Sequence, residues 1–598
     1  MATADTKTVA DLMVERLHDW GVDRVYGYPG DGNNPFLLAL RRSQAAPAFI
    51  QAKHEEAAAF MAVAEAKYGR QVGVVTSTQG PGAVHLLNGL YDAKLDSAAV
   101  VALVAQQHTS VLGSDYQQEI DLQTLFHDVA SPYIQTVASP DAVPMVLDRA
   151  FRSALTYLQP AVVIVPHDLQ QAQAPEIGQE HGQIVTAPGW SRGRTLPRER
   201  DIEAASEIIE AGDRVAILAG RGMRDAQREL IELAEHLGAG VTMSLLGKPY
   251  VDESHSLVAG TMGHLGTTAA ARVLQDCDTL IIVGSNDPWT EFYPAPGQAR
   301  AVQIDIDPSM LGNRYPIEVG IVSDAAAALE ALRGRLHARP GSQWRRDVET
   351  HVANWHEISR LRAAVEASPL NPELVVRELA DRIPPDAQLA IDVGSCVYHY
   401  ARQVRMATTV EAHLSSTLAS MGCGVPYGIG AKEVAPDRPV VVLAGDGAMQ
   451  MLGNNELVTV ASRWPSWPDP RFVVVVLHNR DLAEVSWEQR EFEAQPRFEV
   501  SQQLPAFDFA GYAELLGLRG IRIDDPSRIP SALDEAFASD RPVVVEAITD
   551  RDVPLLPPFP HVDEKLDAIR GALGEEGAAG ARARDLLDTY VRIEMEHR

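Results

Sequence analysis

Short runs of β-branched and aliphatic residues recur along this chain, each followed by a glycine-bearing turn and an alanine- and leucine-rich stretch. They lie at residues 73–76, 162–165, 215–218, 280–283, 440–443 and 473–477. Strands that are apolar at every position, rather than at alternate ones, have to be covered on both faces. Alternation with helices makes them the strands of buried parallel sheets. With 598 residues the chain exceeds what one core can serve, since domains run to roughly 100–200 residues each.

Two stretches interrupt the rhythm. Residues 172–200 are rich in Gln, Gly, Pro and Arg and hold no period. Residues 338–372 pass through a polar helical stretch to Ser368-Pro369-Leu370-Asn371-Pro372. Cutting there gives α/β units at residues 1–180, 190–345 and 366–550, and a helical tail at 551–598. The first and third share a coarse plan: an N-terminal helix, a strand, then Gly-rich turns at strand ends. No solenoid-type repeat is present. The expected fold class is α/β, with three doubly wound parallel-sheet domains.

Charge and cysteine usage exclude several functions. A formal net charge of -29 repels a phosphate backbone, so no nucleic-acid partner is expected. The three cysteines, Cys277, Cys396 and Cys423, form no CxxC pair, which argues against a zinc ribbon or a disulfide framework. The first residues carry charge and lack the apolar core of a signal peptide. The apolar run at residues 98–105 is far too short to span a bilayer. A cytoplasmic location is the expectation.

Chemistry concentrates at two strand ends. The run Val440-Val441-Val442-Leu443 leads into Gly445-Asp446-Gly447-Ala448, with a helical stretch beyond. In parallel sheets ligands bind past the carboxyl ends of strands. There glycines admit a phosphate and a helix N-terminus favours its charge. Asp446 would repel a bare phosphate, and a divalent cation between them removes the conflict. A plain Asp-Gly turn would look the same, so the second strand end decides. Phe472 to Leu477 is wholly apolar and ends at His478-Asn479-Arg480-Asp481. A carboxylate, an amide oxygen and a backbone carbonyl make an all-oxygen set suited to Mg²⁺.

This arrangement resembles the cofactor motif of the thiamine-diphosphate enzymes. The resemblance implies that Asp446, Asn479 and the carbonyl of Asp481 bind Mg²⁺, with Gly445, Gly447 and Ala448 beside the diphosphate. The spacing is a few residues longer than usual, and Arg463 to Pro470 reads as a surface insertion that accounts for it. Lys53-His54-Glu55-Glu56 opens an Ala-rich helix. An acid there commonly does no more than complement the helix dipole. In the family a Glu at this place shares a proton with N1′ of the aminopyrimidine and so activates the cofactor; Glu55 matches it, and Glu56 is the neighbouring acid. Further matches keep family order. They are the early loop of Gly27, Pro29 and Gly30; the turn of Thr78, Gly80 and Pro81, followed by Asn88; Asp392, Gly394 and Ser395 at a strand end; and Met421, which would prop the cofactor into its bent form.

Within the family the chain is most similar to the pyruvate oxidase and pyruvate:quinone oxidoreductase group. Asn88-Gly89-Leu90-Tyr91-Asp92-Ala93 and Gly113-Ser114-Asp115-Tyr116-Gln117-Gln118-Glu119 carry that likeness. It implies FAD on the middle unit, near Gly220, Gly222, Gly263, Gly284, Ser285 and Asp305. Acetolactate synthases keep FAD without using its redox chemistry, and other relatives bind a different nucleotide or none. On the substrate side the chain departs from the group: Ala483 replaces a Gly, Glu484 a large apolar residue and Gln117 a Phe, while Gln118 and Glu488 persist. A buried polar group without a partner costs roughly 1–3 kcal/mol. Gln117 and Glu484 should therefore meet each other, water or polar groups of a substrate more polar than pyruvate.

The reaction implied is decarboxylation of a 2-oxo acid, with electrons passing through FAD to quinone or oxygen. Alternatives are a carboligase or acyltransferase of the acetolactate synthase type and a catalytically silent member, the latter disfavoured by intact Glu55, Asp446 and Asn479. The family also implies a homodimer at minimum and a homotetramer in full, with Glu55 acting across a subunit interface. In the tail, Leu566, Ile569 and Leu573, and then Leu586, Tyr590 and Ile593, fall at helical spacing. Packing on the body or on a neighbouring subunit is the favoured reading over membrane contact, since acidic residues between 563 and 576 oppose anionic lipid.

Overall fold

A computed structural model of the chain describes residues 7–597 apart from 45, 177, 408, 559 and 560. The described residues form three six-stranded sheets, parallel in every pairing. The first holds β1 (Arg24–Gly27), β2 (Ala48–Gln51), β3 (Gly73–Ser77), β4 (Val100–Gln106), β5 (Ile134–Thr136) and β6 (Pro160–Pro166), in the order β2-β1-β3-β4-β6-β5. The second holds β7 (Val215–Ala219), β8 (Gly240–Met243), β9 (Val258–Thr261), β10 (Thr279–Val283), β11 (Arg300–Asp305) and β12 (Val319–Val322), in the order β9-β8-β7-β10-β11-β12. The third holds β13 (Gln388–Ile391), β14 (Glu411–His413), β15 (Val440–Gly445), β16 (Phe472–His478), β17 (Arg519–Ile523) and β18 (Val543–Ile548), in the order β14-β13-β15-β16-β18-β17.

The outer sheets therefore share one strand order, which explains the common plan seen in their sequences. The middle sheet has the 3-2-1-4-5-6 order of dinucleotide-binding folds, with its switch point between β7 and β10.

Strand alternation assigns the cores. In the first sheet Val75, Val100, Ala102 and Val104 enter one cluster, and Val74, Val101 and Leu103 enter another on the opposite face. In the third sheet Val442, Ala444, Val474 and Val476 join that same first cluster, while Val441, Leu443, Val473 and Val475 line a separate one. The first and third units thus bury one face each in a shared core. The middle unit keeps its own. Helix Glu55–Gly69 lies inside the shared core, and every residue from Ala57 to Ala64 is fully buried. It packs on helix Gly424–Val434 at Gly430, where a Cβ would come 2.6 Å from Ala64 Cβ. Lys67 crosses this seam and donates to Asp96 at 2.7 Å and to Tyr427 at 2.7 Å.

The segment read as a surface insertion is anchored in the core instead. Trp467 is 7% exposed and stacks on Phe472 at 5.5 Å. Its Nε1 donates to Glu433 at 3.1 Å, and Arg463 holds the same carboxylate. An indole carries enough apolar area to draw such a loop inward.

The tail forms helices His561–Glu575 and Ala581–Glu596. Leu566, Ile569, Leu573, Leu586 and Tyr590 are buried against Tyr398, Trp487 and Leu555 of the body. Among the described residues, no helix is long and apolar enough to cross a membrane. A buried ion network fastens the second tail helix. Arg362 is 1% exposed and donates to Glu373 at 2.6 Å and to Glu594 at 3.0 Å. Replacing Arg362 by Met leaves two carboxylates buried without their cation and should cost about 3–5 kcal/mol. Denaturant unfolding of the variant beside the parent measures it.

Candidate active site

Strands β15 and β16 run in register, with Gly445 opposite Leu477, so the residues after them emerge side by side. Asp446 starts a helix there and is 2% exposed. Its Oδ1 accepts the Gly447 amide at 3.0 Å and its Oδ2 the Arg480 amide at 2.6 Å. Burial pushes the carboxyl up to about 6 even so. Among the described residues no Lys or Arg side chain pairs with it, and the His478 ring lies 3.9 Å away. A buried carboxylate held by amides and lacking a close cation is a natural ligand for a metal ion. Asn479 Oδ1 accepts the Asp481 amide at 2.9 Å. Between them Arg480 takes a φ of +60°, uncommon for a residue with a side chain and concentrated at functional sites. The Asp481 carboxylate is already engaged, accepting from Ser486 at 2.7 Å and from Arg497 at 2.8 Å. Its main-chain carbonyl is what remains for a metal. This oxygen set fits Mg²⁺.

The neighbouring strand end adds a second glycine turn and helix start. Strand β13 lies beside β15, with Ile391 opposite Leu443. After it come Asp392, Gly394 with a φ of +129°, and helix Ser395–Gln403. Two helix N-termini therefore open at the same sheet edge, an arrangement suited to an anion. Asp392 is fully buried and accepts three amides, those of Val393, Gly422 and Gly424, each at 2.7 Å. Its side chain is spent on pinning the loop that carries Met421. A Cβ on Gly394 would lie 3.7 Å from Met421 Cε, and one on Gly447 would lie 3.6 Å from its Sδ. Met421 thus sits between the two glycine turns, while Ala448 is buried behind and the space over Gly445 is open.

The other half lies on the first unit. Glu55 opens its helix and is 8% exposed. Its Oε2 is 2.9 Å from His85 Nδ1, and a Cβ on Gly82 would meet its Oε1 at 3.0 Å. Glu56 turns elsewhere: its Oε1 accepts from Asn88 at 2.5 Å, and Asn88 also donates to Ser420 at 2.7 Å. Asn88 therefore holds Glu56 and the Met421 loop together. The early loop hooks onto the Thr78 turn, where Thr78 Oγ1 accepts the Gly32 amide at 3.1 Å. Close approach explains the glycines there, since a Cβ on Gly27 would meet Thr76 O at 2.6 Å and one on Gly30 would meet Thr78 Cβ at 2.5 Å. Pro81 opens the short helix Pro81–His85 after Gly80, and that helix delivers His85.

Gln118 Oε1 accepts from Gln79 at 3.2 Å beside Gly80. Gln117 is exposed and only its main-chain carbonyl is bonded, to Gln107 at 2.6 Å. Glu484 belongs to helix Ala483–Phe492 of the third unit. Among the described residues no hydrogen bond joins the Gln117 and Glu484 side chains, which stand on different units, so of the partners expected for them water and polar substrate groups remain. Glu484, Glu488 and Glu491 share one helix face. Burial, then Glu488, pushes Glu484 up to about 7. Burial, then Glu491, raises Glu488 as well. Glu491 pairs with Lys565 of the tail.

Because the fold favours protonated Glu484, its contribution to stability is intact below the ordinary value of 4.5 and is lost as pH rises through about 7. Glu484→Gln should raise the thermal midpoint at pH 8 and leave it unchanged near pH 4. Scanning calorimetry at the two pH values checks the sign.

In the middle unit Gly220 and Gly222 follow β7, and Gly284 and Ser285 follow β10, at the switch point. The turns touch, with Gly222 N donating to Gly284 O at 3.1 Å, and a Cβ on Gly220 would come 2.2 Å from Gly284 O. Ser285 Oγ and Asn286 Oδ1 are buried there without a hydrogen-bond partner. Asp305 ends β11, and burial raises its carboxyl. Gly263, with a φ of +87°, packs against Trp289.

Several participants escaped the sequence reading. His85 stands four residues past Pro81 and became legible only through its contact with Glu55. Glu546 binds His478 Nδ1 at 2.7 Å across a sequence gap of 68 residues. A π-helical turn, Met449–Gly453, continues the Asp446 helix, a local feature that often marks functional sites and has no sequence signature.

Known proteins resemble the chain along its length. Three family models match: "Thiamine pyrophosphate enzyme, N-terminal TPP binding domain" over residues 7–125, the "central domain" over 202–332, and the "C-terminal TPP binding domain" over 392–547. The Bacillus subtilis protein YdaP is 35% identical over 549 residues, covering 92% of this chain and 93% of that one. Pyruvate oxidase of Lactiplantibacillus plantarum is 30% identical over 602 residues, covering 99% and 96%. The acetolactate synthase large subunit of Corynebacterium glutamicum is 30% identical over 597 residues, covering 96% and 91%.

Proposed function

The chain belongs to the thiamine pyrophosphate enzyme family, and from that premise we propose that it decarboxylates a 2-oxo acid oxidatively, with Mg²⁺-bound thiamine diphosphate and FAD. The observation that carries this reading is the pair of strand ends at Asp446 and Asn479, with an engaged Asp481 carboxylate leaving its carbonyl for the metal. When bound, thiamine diphosphate supplies the nucleophilic carbon and electron sink for loss of CO₂, and FAD the oxidant. Glu55 holds and returns the proton at N1′ of the aminopyrimidine, and His85 fixes the orientation of its carboxylate. Met421 sets the cofactor's bend from between the two glycine turns.

FAD is supported by the strand order of the middle sheet and by the orphaned Ser285 and Asn286 oxygens at its switch point. Gln117, Gln118, Glu484 and Glu488 line the substrate side, and the polarity of Gln117 and Glu484 favours a 2-oxo acid carrying a further polar group. The electron acceptor is a quinone or oxygen.

A homodimer, paired into a tetramer, completes the site in this reading. Successive helix residues point about 100° apart. With Glu56 turned through Asn88 to Ser420 of its own third unit, Glu55 faces away from it. Exposed Tyr28, Val84 and Tyr116 on the first unit, and exposed Met451, Val485 and Phe498 on the third, provide apolar surface for the contact.

The test is the visible spectrum of the purified protein, recorded anaerobically with a panel of 2-oxo acids. Flavin absorbance that bleaches with one of them supports oxidation. A carbon–carbon product with unchanged flavin would replace this reading by a carboligase of the acetolactate synthase kind. Efficient turnover of pyruvate alone would remove the case for a polar substrate.

A further inference from the structure

His54, Glu55 and His85 form a group that cofactor activation does not use in full. Their ligand atoms all lie within 4.8 Å of one another. Among the described residues, no other set of three or more His, Cys, Asp or Glu side chains is close enough to share an ion. The rings of His54 and His85 face each other at 4.3 Å between centroids. His85 Nδ1 is 2.9 Å from Glu55 Oε2. Within the single chain the His85 side chain is 41% exposed, so it is not buried in the first unit's own core. Neither histidine is needed for cofactor activation as derived above, beyond the orienting contact of His85.

Two imidazoles and one carboxylate are the donor set of Zn²⁺, not of Mg²⁺, which takes oxygen ligands in a strict octahedron. Zinc bonds of about 2.0–2.2 Å put neighbouring ligand atoms a little over 3 Å apart. The widest pair is at most 4.8 Å apart, so reaching that spacing requires closing by less than about 2 Å. We propose that His54, Glu55 and His85 form a Zn²⁺ site in the cofactor-free protein, with water in the fourth position.

The ligands are not equal. His54 Nδ1 caps its helix by accepting the Glu56 amide at 3.2 Å. The ion takes His54 either by displacing that amide or through a change of tautomer, so His54 is the weakest of the three. Among the described residues His85 has Glu55 as its one side-chain hydrogen-bond partner, and the metal takes the place of that contact. One consequence rests on the reading of Glu55 given above: an ion on its carboxylate blocks the place of the aminopyrimidine, so zinc and thiamine diphosphate exclude each other.

Calorimetric titration of untagged, cofactor-free protein with Zn²⁺ in excess Mg²⁺ tests the site, because Mg²⁺ fills the Asp446 position first. One Zn²⁺ per chain is expected. His85→Ala should weaken it by about 100-fold or more and His54→Ala by less, while Asp446→Asn should leave it unchanged. His85 is exposed, so its loss does not threaten folding, and thermal unfolding of the variant verifies this. Equal affinity in the parent and His85→Ala, or loss of the site in Asp446→Asn, overturns the proposal. In a second measurement, Zn²⁺ should slow thiamine diphosphate uptake followed by tryptophan fluorescence, and a chelator should restore it. Zinc bound at the group without any effect on uptake upholds the site and counts against the role given to Glu55.

Discussion

Replacing Glu55 by Gln should lower kcat/KM by about 10²–10⁴-fold, the usual worth of a positioned proton-transfer group, while thiamine diphosphate still binds. The amide keeps the volume and one acceptor oxygen but cannot take up a proton. The backbone has no reason to move, because the helix that carries Glu55 is fully buried from Ala57 to Ala64. Glu56 cannot stand in. Its carboxylate is held by Asn88, and its side chain points roughly 100° away. Glu56→Gln should therefore cost far less. Steady-state kinetics of both variants, with cofactor content measured on the same samples, decide the matter. A Glu55→Gln protein as active as its parent would transfer the role elsewhere or make the chain a silent member of its family.

Asp446→Asn should act on binding itself and reduce apparent affinity for thiamine diphosphate with Mg²⁺ by about 100-fold or more. Even outer partners of a metal site are worth about 10–100-fold, and Asp446 is placed to be a direct anionic ligand. Its neighbour provides the contrast. The Asp481 side chain is committed to Ser486 and Arg497. Asp481→Asn keeps the carbonyl and should disturb binding only through the loop, by a smaller factor. Titrations of cofactor-free protein compare the two, and equal losses would contradict this division of labour.

The two variants also test the subunit arrangement. Each alone is expected to be nearly inactive. If Glu55 serves cofactor held by the partner's third unit, a mixed dimer of the two variants contains one intact site and one doubly altered site. Refolding them together should then restore part of the activity. Activity that stays absent in a proven mixed dimer would place both halves of the site in one chain.

Much of this protein was legible before its structure. The all-apolar runs at β15 and β16 dictated buried parallel strands, and the residues after them set a carboxylate and an amide oxygen beyond the strand ends. The register of those strands then brought Asp446 and Asn479 out side by side. Glu55 was legible as a helix-opening acid, although sequence alone could not separate it from Glu56. Asn88 makes that separation by occupying Glu56. Trp467 shows the opposite case. A Pro-rich segment reads as surface, yet the indole found Phe472 and Glu433 and went inside.

What the sequence determined by itself was local and periodic: strand identity, turn chemistry and the kinds of polar atom at each strand end. What only the tertiary structure decided was which distant groups share an environment. Asp392 is spent on the Met421 loop, Asp481 gives up its carboxylate to Arg497, and His85 meets Glu55 and His54. Glu484 comes to lie where burial favours its protonated form. The physical reason is that hydrogen bonding, desolvation and charge pairing depend on distance in space, and neighbours 16 to 332 residues apart in the chain leave no periodic signal along it.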